Sequence, residues 1–145
     1  RNSPTLDIYK MLLQKDVNDV YDLDMDIYAP CALGGTLNDD TIARLRCQIV
    51  AGAANNQLKD EDIHGKALLE KGILYAPDFA VNAGGVINCF SEVEGLSSEW
   101  ALQKAQDIYH TIYDIVQRSK NEHIPAHLIA MKMAEEKINA VHKPL

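Results

Sequence analysis

Two asparagines, Asn55 and Asn82, follow short apolar runs and sit among small residues, in "AGAANN" (51–56) and "APDFAVNAGG" (76–85). A third run closes in "APCALGG" (29–35), with Cys31 but no asparagine. A carboxamide offers one acceptor and a two-proton donor, which suits ribose hydroxyls or another carboxamide. Alanine and glycine beside it let a flat or extended ligand approach the main chain. Each stretch alone reads as a tight turn, because Gly, Asn and Pro dominate turns for local reasons. Three of them, each closing a strand-like run, read as the wall of a nucleotide or dinucleotide crevice.

Other residue types with chemistry to offer fall away on inspection. Cys31 as a nucleophile needs a neighbouring histidine or cation to lower its pKa, and none is adjacent in sequence. It reads as a small wall residue. "DEDIH" (60–64) gathers acids beside His64, the pattern of a solvated helix N-terminus where the macrodipole favours acids. His123 and His127 are four apart, but Pro125 between them breaks the helical face that a two-histidine zinc site needs. No catalytic residue and no metal ligand is expected in this chain.

The crevice requires strands that end on one edge. "MDIYAP" (25–30), "CQIVAG" (47–52) and "ILYAP" (73–77) are short and apolar, and they alternate with helical patterns at 3–14, 38–45 and 62–71, the last capped by Gly72. That alternation predicts βαβ units and a parallel sheet. Ser98 to Lys120 carries Ala101, Ala105, Ile108, Ile112 and Ile115 at helical spacing. Pro125 opens another helix with Leu128, Met131, Ala134, Ile138 and Val141 on one face. Trp100 is expected to staple the start of the first long helix to the core, and Glu135-Glu136-Lys137 to be a solvated face. The fold class is α/β: a partial Rossmann-type doubly wound parallel sheet with two long C-terminal helices.

The totals set the frame. A single domain accommodates 145 residues. The net charge of −7 argues against general nucleic-acid or anionic-membrane binding. No run reaches the ~18 apolar residues of a membrane span, and no signal-peptide pattern opens the chain. Cys31, Cys47 and Cys89 include no C-x-x-C pair, so reduced thiols and a cytoplasmic setting are expected.

"DIYAPCALGG", "IVAGAANNQL", "HGKALLEKGILYAPDFAVNAGGVIN" and "IPAHLIAMKMAEEKI", in that order, resemble the C-terminal part of the glutamate/leucine/phenylalanine/valine dehydrogenases, the leucine-type enzymes above all. The resemblance covers nearly the whole chain. It implies that residues 1–145 are the C-terminal part of a NAD-binding Rossmann domain, within a homo-oligomer that oxidatively deaminates an aliphatic L-amino acid. It implies that Ala29, Pro30, Cys31 and Ala32 line the ribose side of the cofactor. Ala53, Ala54 and Asn55 fall near the nicotinamide, and Asn82 contacts both cofactor ribose and amino acid. Ile112 and Ile115 match positions that touch the substrate side chain.

There are departures from the pattern. No G-x-G-x-x-G occurs, and Lys59, Lys66 and Lys71 match none of the family's catalytic lysines. The phosphate loop and substrate domain are expected to precede Arg1, which leaves the chain inactive alone. Ala53 stands where many members carry serine, and "CFSEVEG" (89–95) differs from the usual run. Two rival readings stay open: a non-catalytic half-Rossmann interaction or regulatory module, and a different Rossmann dehydrogenase. The second of these needs a histidine–acid pair that is not found here.

Overall fold

The computed structural model describes residues 17–141. The helix expected at 3–14 lies outside them. A 3-10 turn at Val17–Asp22 leads into β1 (Ile27–Tyr28), α1 (Asp39–Arg44), β2 (Ile49–Val50), α2 (Glu61–Glu70) and β3 (Leu74–Tyr75). Four further helices follow: α3 (Asp78–Val81), α4 (Gly84–Val93), α5 (Ser98–Glu122) and α6 (Ala126–Val141).

The sheet is parallel, in the order β1-β2-β3, with Ile27, Ile49 and Leu74 in one register row and Tyr28, Val50 and Tyr75 in the next. This is the expected α/β arrangement, but each strand is only two residues long. Pro30 and Pro77 lack the N–H that a ladder needs. The neighbouring backbone bonds, Ala51 N–H to the Tyr28 carbonyl (3.0 Å) and Ala76 N–H to the Val50 carbonyl (2.9 Å), extend the pairing only to the first loop residue. An isolated parallel bridge, Leu37 with Leu58, ties the chain together again beyond the first two loops.

Helix ends follow their local chemistry. Asn38 Oδ1 accepts from the amides of Asp40 and Thr41, while Thr41 Oγ1 accepts from Asn38 N–H, a reciprocal cap on α1. At α2, Asp60 Oδ1 accepts from Ile63 N–H and His64 Nδ1 accepts from Asp60 N–H. The "DEDIH" acids are exposed as expected, but His64 is buried and serves this cap. Gly72 takes φ +75°, with its own N–H bonded to the Leu69 carbonyl and that of Ile73 to the Leu68 carbonyl. That double bond pattern is a Schellman stop and needs a residue comfortable at positive φ.

Two cores result. Tyr28, Val50 and Tyr75 of the sheet pack with Leu37, Ile42, Leu45 and Leu68. Ile115 of α5 packs with Ala126, Ile129 and Ala130 of α6. Leu128, Met131, Ala134, Ile138 and Val141 do share a face of α6, but that face is exposed; the buried side is the one carrying the small residues. Ala126 and Ala130 let α6 lie close on α5, and a Cβ at Gly65 would overlap the His127 ring, so α6 also seats tightly on α2. Glu136 is exposed as expected and makes a two-pronged ion pair with Arg118 (2.9 and 3.0 Å).

Candidate functional site: a carboxamide pair at the carboxyl edge of the sheet

Because the strands are parallel and in register, their three outgoing loops emerge on one edge. Gly52 is the point of closest approach, where any Cβ would overlap the Pro30 backbone. Ala54 N–H donates to the Pro30 carbonyl (2.9 Å), and Ala53 N–H points at Cys31 Sγ (3.4 Å). Ala29, Cys31 and Ala32 are exposed on this edge, whereas Pro30 and Ala54 are buried and meet the surface through their neighbours. Cys31 therefore lies at the wall of the loop cluster, with the Ala53 backbone amide as its partner.

Asn82 closes α3 as its C-cap residue and turns its side chain toward the β2 loop. Its Nδ2 donates to Asn55 Oδ1 (2.6 Å) and to the Ala53 carbonyl (3.3 Å). The opposite amide orientation would set Oδ1 against two acceptors, so the pair has a fixed polarity. Asn82 Oδ1 is left as an acceptor and Asn55 Nδ2 as a donor, neither with a partner among the described residues.

A cleft of about 740 Å³ opens at this pair, walled by Phe79, Val86 and Ile108 and floored by Ala53, Asn55, Asn82 and the 83–85 stretch. Gly84 and Gly85 are not a turn: they form the first residues of α4, no side chain caps that helix, and a Cβ at either would meet open space. Sequence reasoning missed α3 and α4 because two adjacent glycines are poor helix formers in isolation. Here α4 is held by packing, with Phe90 against Trp100 of α5 at 5.8 Å between ring centres. Trp100 thus fixes the start of α5 to α4 rather than to the sheet core.

The structure brings Ala53, Asn55 and Asn82 into one site, with Cys31 alongside. It does not bring Ile115 there: that side chain is 1% exposed and packs with Ile129. Ile112 is half-buried against the same core. The α5 residue that reaches the cleft is Ile108, one turn earlier on the stripe that the spacing marked. Phe79 was also missed, since one aromatic after Pro77-Asp78 carries no periodic signal.

Behind the cleft lies a buried polar layer that nothing in the sequence announces. Gln57 is fully buried, its Nε2 donating to the carbonyls of Gly52 (2.8 Å) and Ala54 (2.9 Å). Its backbone N–H points at Asp78 Oδ2 (3.4 Å), while Tyr75 Oη donates to Asp78 Oδ1 (3.2 Å). Burial first, and the adjacent Asp78 charge second, raise the pKa of the Tyr75 phenol, so it stays protonated and donating.

The features fit a dinucleotide's nicotinamide end. Among the described residues, Asn82 Oδ1 remains an acceptor and Asn55 Nδ2 a donor, the pair of groups that a primary carboxamide or ribose hydroxyls would use, and both residues line a cleft of ligand size with apolar walls. Among the described residues, no group of three or more metal-ligating side chains exists, and no helix is long and apolar enough to cross a membrane.

An in-order parallel sheet with small-residue loops gathered at its carboxyl edge matches one half of a Rossmann-type fold. A model of the Glutamate/Leucine/Phenylalanine/Valine dehydrogenase family matches residues 5–143. The chain is 52% identical over 124 residues to leucine dehydrogenase of Thermoactinomyces intermedius, covering 86% of this chain and 34% of the relative. It is 51% identical over 128 residues to leucine dehydrogenase of Bacillus subtilis (strain 168), covering 88% and 35%. The crystal structure of L-tryptophan dehydrogenase from Nostoc punctiforme superposes with a TM-score of 0.81 at 46% identity, over 84% of this chain and 37% of that one. The chain belongs to the glutamate/leucine/phenylalanine/valine dehydrogenase family. It spans about a third of the length of the curated relatives it matches.

Proposed function

We propose that this chain is the C-terminal part of the NAD-binding domain of a longer, cytoplasmic, homo-oligomeric enzyme that oxidatively deaminates an aliphatic L-amino acid to its 2-oxo acid and ammonia. The observation that carries the reading is the polarised Asn55–Asn82 pair at the floor of the cleft. Ala29, Pro30, Cys31 and Ala32 would line the ribose side of NAD, Ala53, Ala54 and Asn55 the nicotinamide, and Asn82 the ribose and the amino acid. NAD, when bound, supplies the hydride acceptor. The contribution of this chain is alignment: its loops hold the reacting faces together and its apolar walls exclude water.

The aliphatic preference rests on Ile112, on Ile115 supporting it from the core, and on Ile108 at the cleft wall. Relatives of similar identity to this chain carry the names leucine and tryptophan dehydrogenase, so overall similarity does not decide between aliphatic and aromatic side chains. A methylene in such a pocket discriminates by only about 1–3 kcal/mol.

The test is amino-acid-dependent NADH formation by the longer enzyme, with leucine, valine, phenylalanine and glutamate compared and light scattering to give the assembly. Leucine or valine is expected to give the highest kcat/KM, and the 145-residue chain alone to give no turnover. Absence of NADH with every amino acid would overturn the reading, and a preference for phenylalanine or glutamate would overturn its aliphatic part.

A further inference from the structure

Three consecutive carbonyls in the β2 loop, at Gly52, Ala53 and Ala54, are all engaged by carboxamides, and from two sides. Gln57 takes the first and third from the interior, and Asn82 takes the middle one from the cleft. All three acceptors are thus taken up by protein donors, and the loop still carries a donor at the cleft, the NH2 of Asn55. Gln57 has no freedom to flip: exchanging its amide oxygen and nitrogen would set an oxygen between two carbonyl oxygens. Its own Oε1 is buried and has no hydrogen-bond partner among the described residues. The bonds of Nε2 dictate how the side chain sits.

Asp78 completes the arrangement. One carboxylate oxygen faces the Gln57 backbone N–H and the other accepts from the Tyr75 hydroxyl, while the Asp78 carbonyl accepts from Asn82 N–H at 3.0 Å. The same residue thus contacts both arms of the site, the β2 loop through its side chain and Asn82 through its main chain. None of these atoms reaches the cleft, so neither Gln57 nor Asp78 touches a ligand.

We infer that Gln57, braced by Asp78, is a positioning residue that sets the donor–acceptor polarity of the Asn55–Asn82 pair, and through it the register of a bound carboxamide or ribose. The inference deepens the dehydrogenase reading and rests on it for its catalytic consequence, but its structural half stands apart.

Two measurements separate those halves. In the 145-residue chain, solvent exchange of the Asn82 side-chain NH2 is followed by 15N NMR in Gln57→Met, which keeps length and removes both donors. Exchange is expected to quicken roughly tenfold, as local opening frees the amide. Ile129→Val, a mild change in the other core, should leave it as in the wild type. Unchanged exchange in Gln57→Met, or an equal change in Ile129→Val, overturns the inference. Should Gln57→Met fail to fold, Asp78→Ala carries the test, because it removes the acceptor facing the Gln57 backbone N–H and should quicken exchange in the same direction; unchanged exchange there overturns the inference. In the longer enzyme, Gln57→Met should lower kcat roughly 10–100-fold with KM for the amino acid near wild type, the signature of misalignment. An unchanged kcat overturns the catalytic consequence. A wild-type enzyme without amino-acid-dependent NADH formation defeats the dehydrogenase reading instead, and the exchange measurement still decides the role of Gln57.

Discussion

Asn82 has half of its carboxamide committed to protein and half presented to the cleft, and that division makes it separable from stability. Truncation in Asn82→Ala removes two hydrogen bonds at a half-exposed position. The stability loss expected is about 1–2 kcal/mol, since each net hydrogen bond is worth about 0.5–1.5 kcal/mol and water can replace part of it at this position. The kcat/KM of the longer enzyme should fall by roughly 10²-fold, the scale of losing one preorganised polar contact at a reacting centre. Urea midpoints and steady-state rates on one preparation check both. Ile115 behaves in the opposite way. Being 1% exposed, its change to Ala should cost about 2–5 kcal/mol, because transfer and cavity penalties add. Ile112→Ala, at a half-buried site, should cost less, and Ile108→Ala at the cleft wall should shift the amino-acid preference of the longer enzyme; an Ile115 variant with normal stability would contradict the packing described.

Among the elements, the α2–α6 contact carries a pH dependence of calculable sign. His127 is buried, with no hydrogen-bond partner for either ring nitrogen among the described residues, and it packs on Gly65. Burial lowers its pKa below the ordinary 6.5, opposed weakly by Glu61 and Asp62 of α2. The unfolded chain therefore binds the proton more readily. Stability is complete above pH 6.5 and falls as pH drops below it toward the lower folded value. Glu122 and Glu136 add a separate acid loss, since Lys132 and Arg118 hold their carboxyls below the usual 4.5. That loss begins lower in pH and is screened by salt. Urea midpoints at pH 7.5 and 5.5 in high salt should drop for the wild type and stay level in His127→Leu. This contact was illegible in the sequence, where His127 read only as half of a rejected zinc pair. The strands were legible because β-branched and aromatic pairs, Ile49-Val50 and Leu74-Tyr75, sit between turn residues. Their true length was not, because prolines and loop contacts decide where pairing stops. Helix α4 was hidden for a related reason, since tertiary packing overrides a weak local preference.

Across the whole molecule, the carboxyl edge of the sheet was foreseeable from three similar strand ends, whereas the buried Gln57–Asp78–Tyr75 layer behind it was not. A polar residue after "NN" reads as surface until a third dimension buries it. The two short cores differ in kind as well: one joins sheet to crossover helices, and the other is an antiparallel helix pair turned at His123, which sits at φ 55°. One feature at this scale reaches further than packing. The loop from Ala29 to Thr36 and the loop from Ala51 to Gln57 are each anchored twice, at the Tyr28–Val50 rung and again at the Leu37–Leu58 bridge. Two arcs clamped at both feet have few shapes to give up when something settles on them. Ordering a mobile backbone residue costs about 1–2 kcal/mol, and these arcs have met that cost during folding. Association at this edge should accordingly run with little conformational entropy to surrender, its heat set by the groups that meet rather than by the chain that carries them.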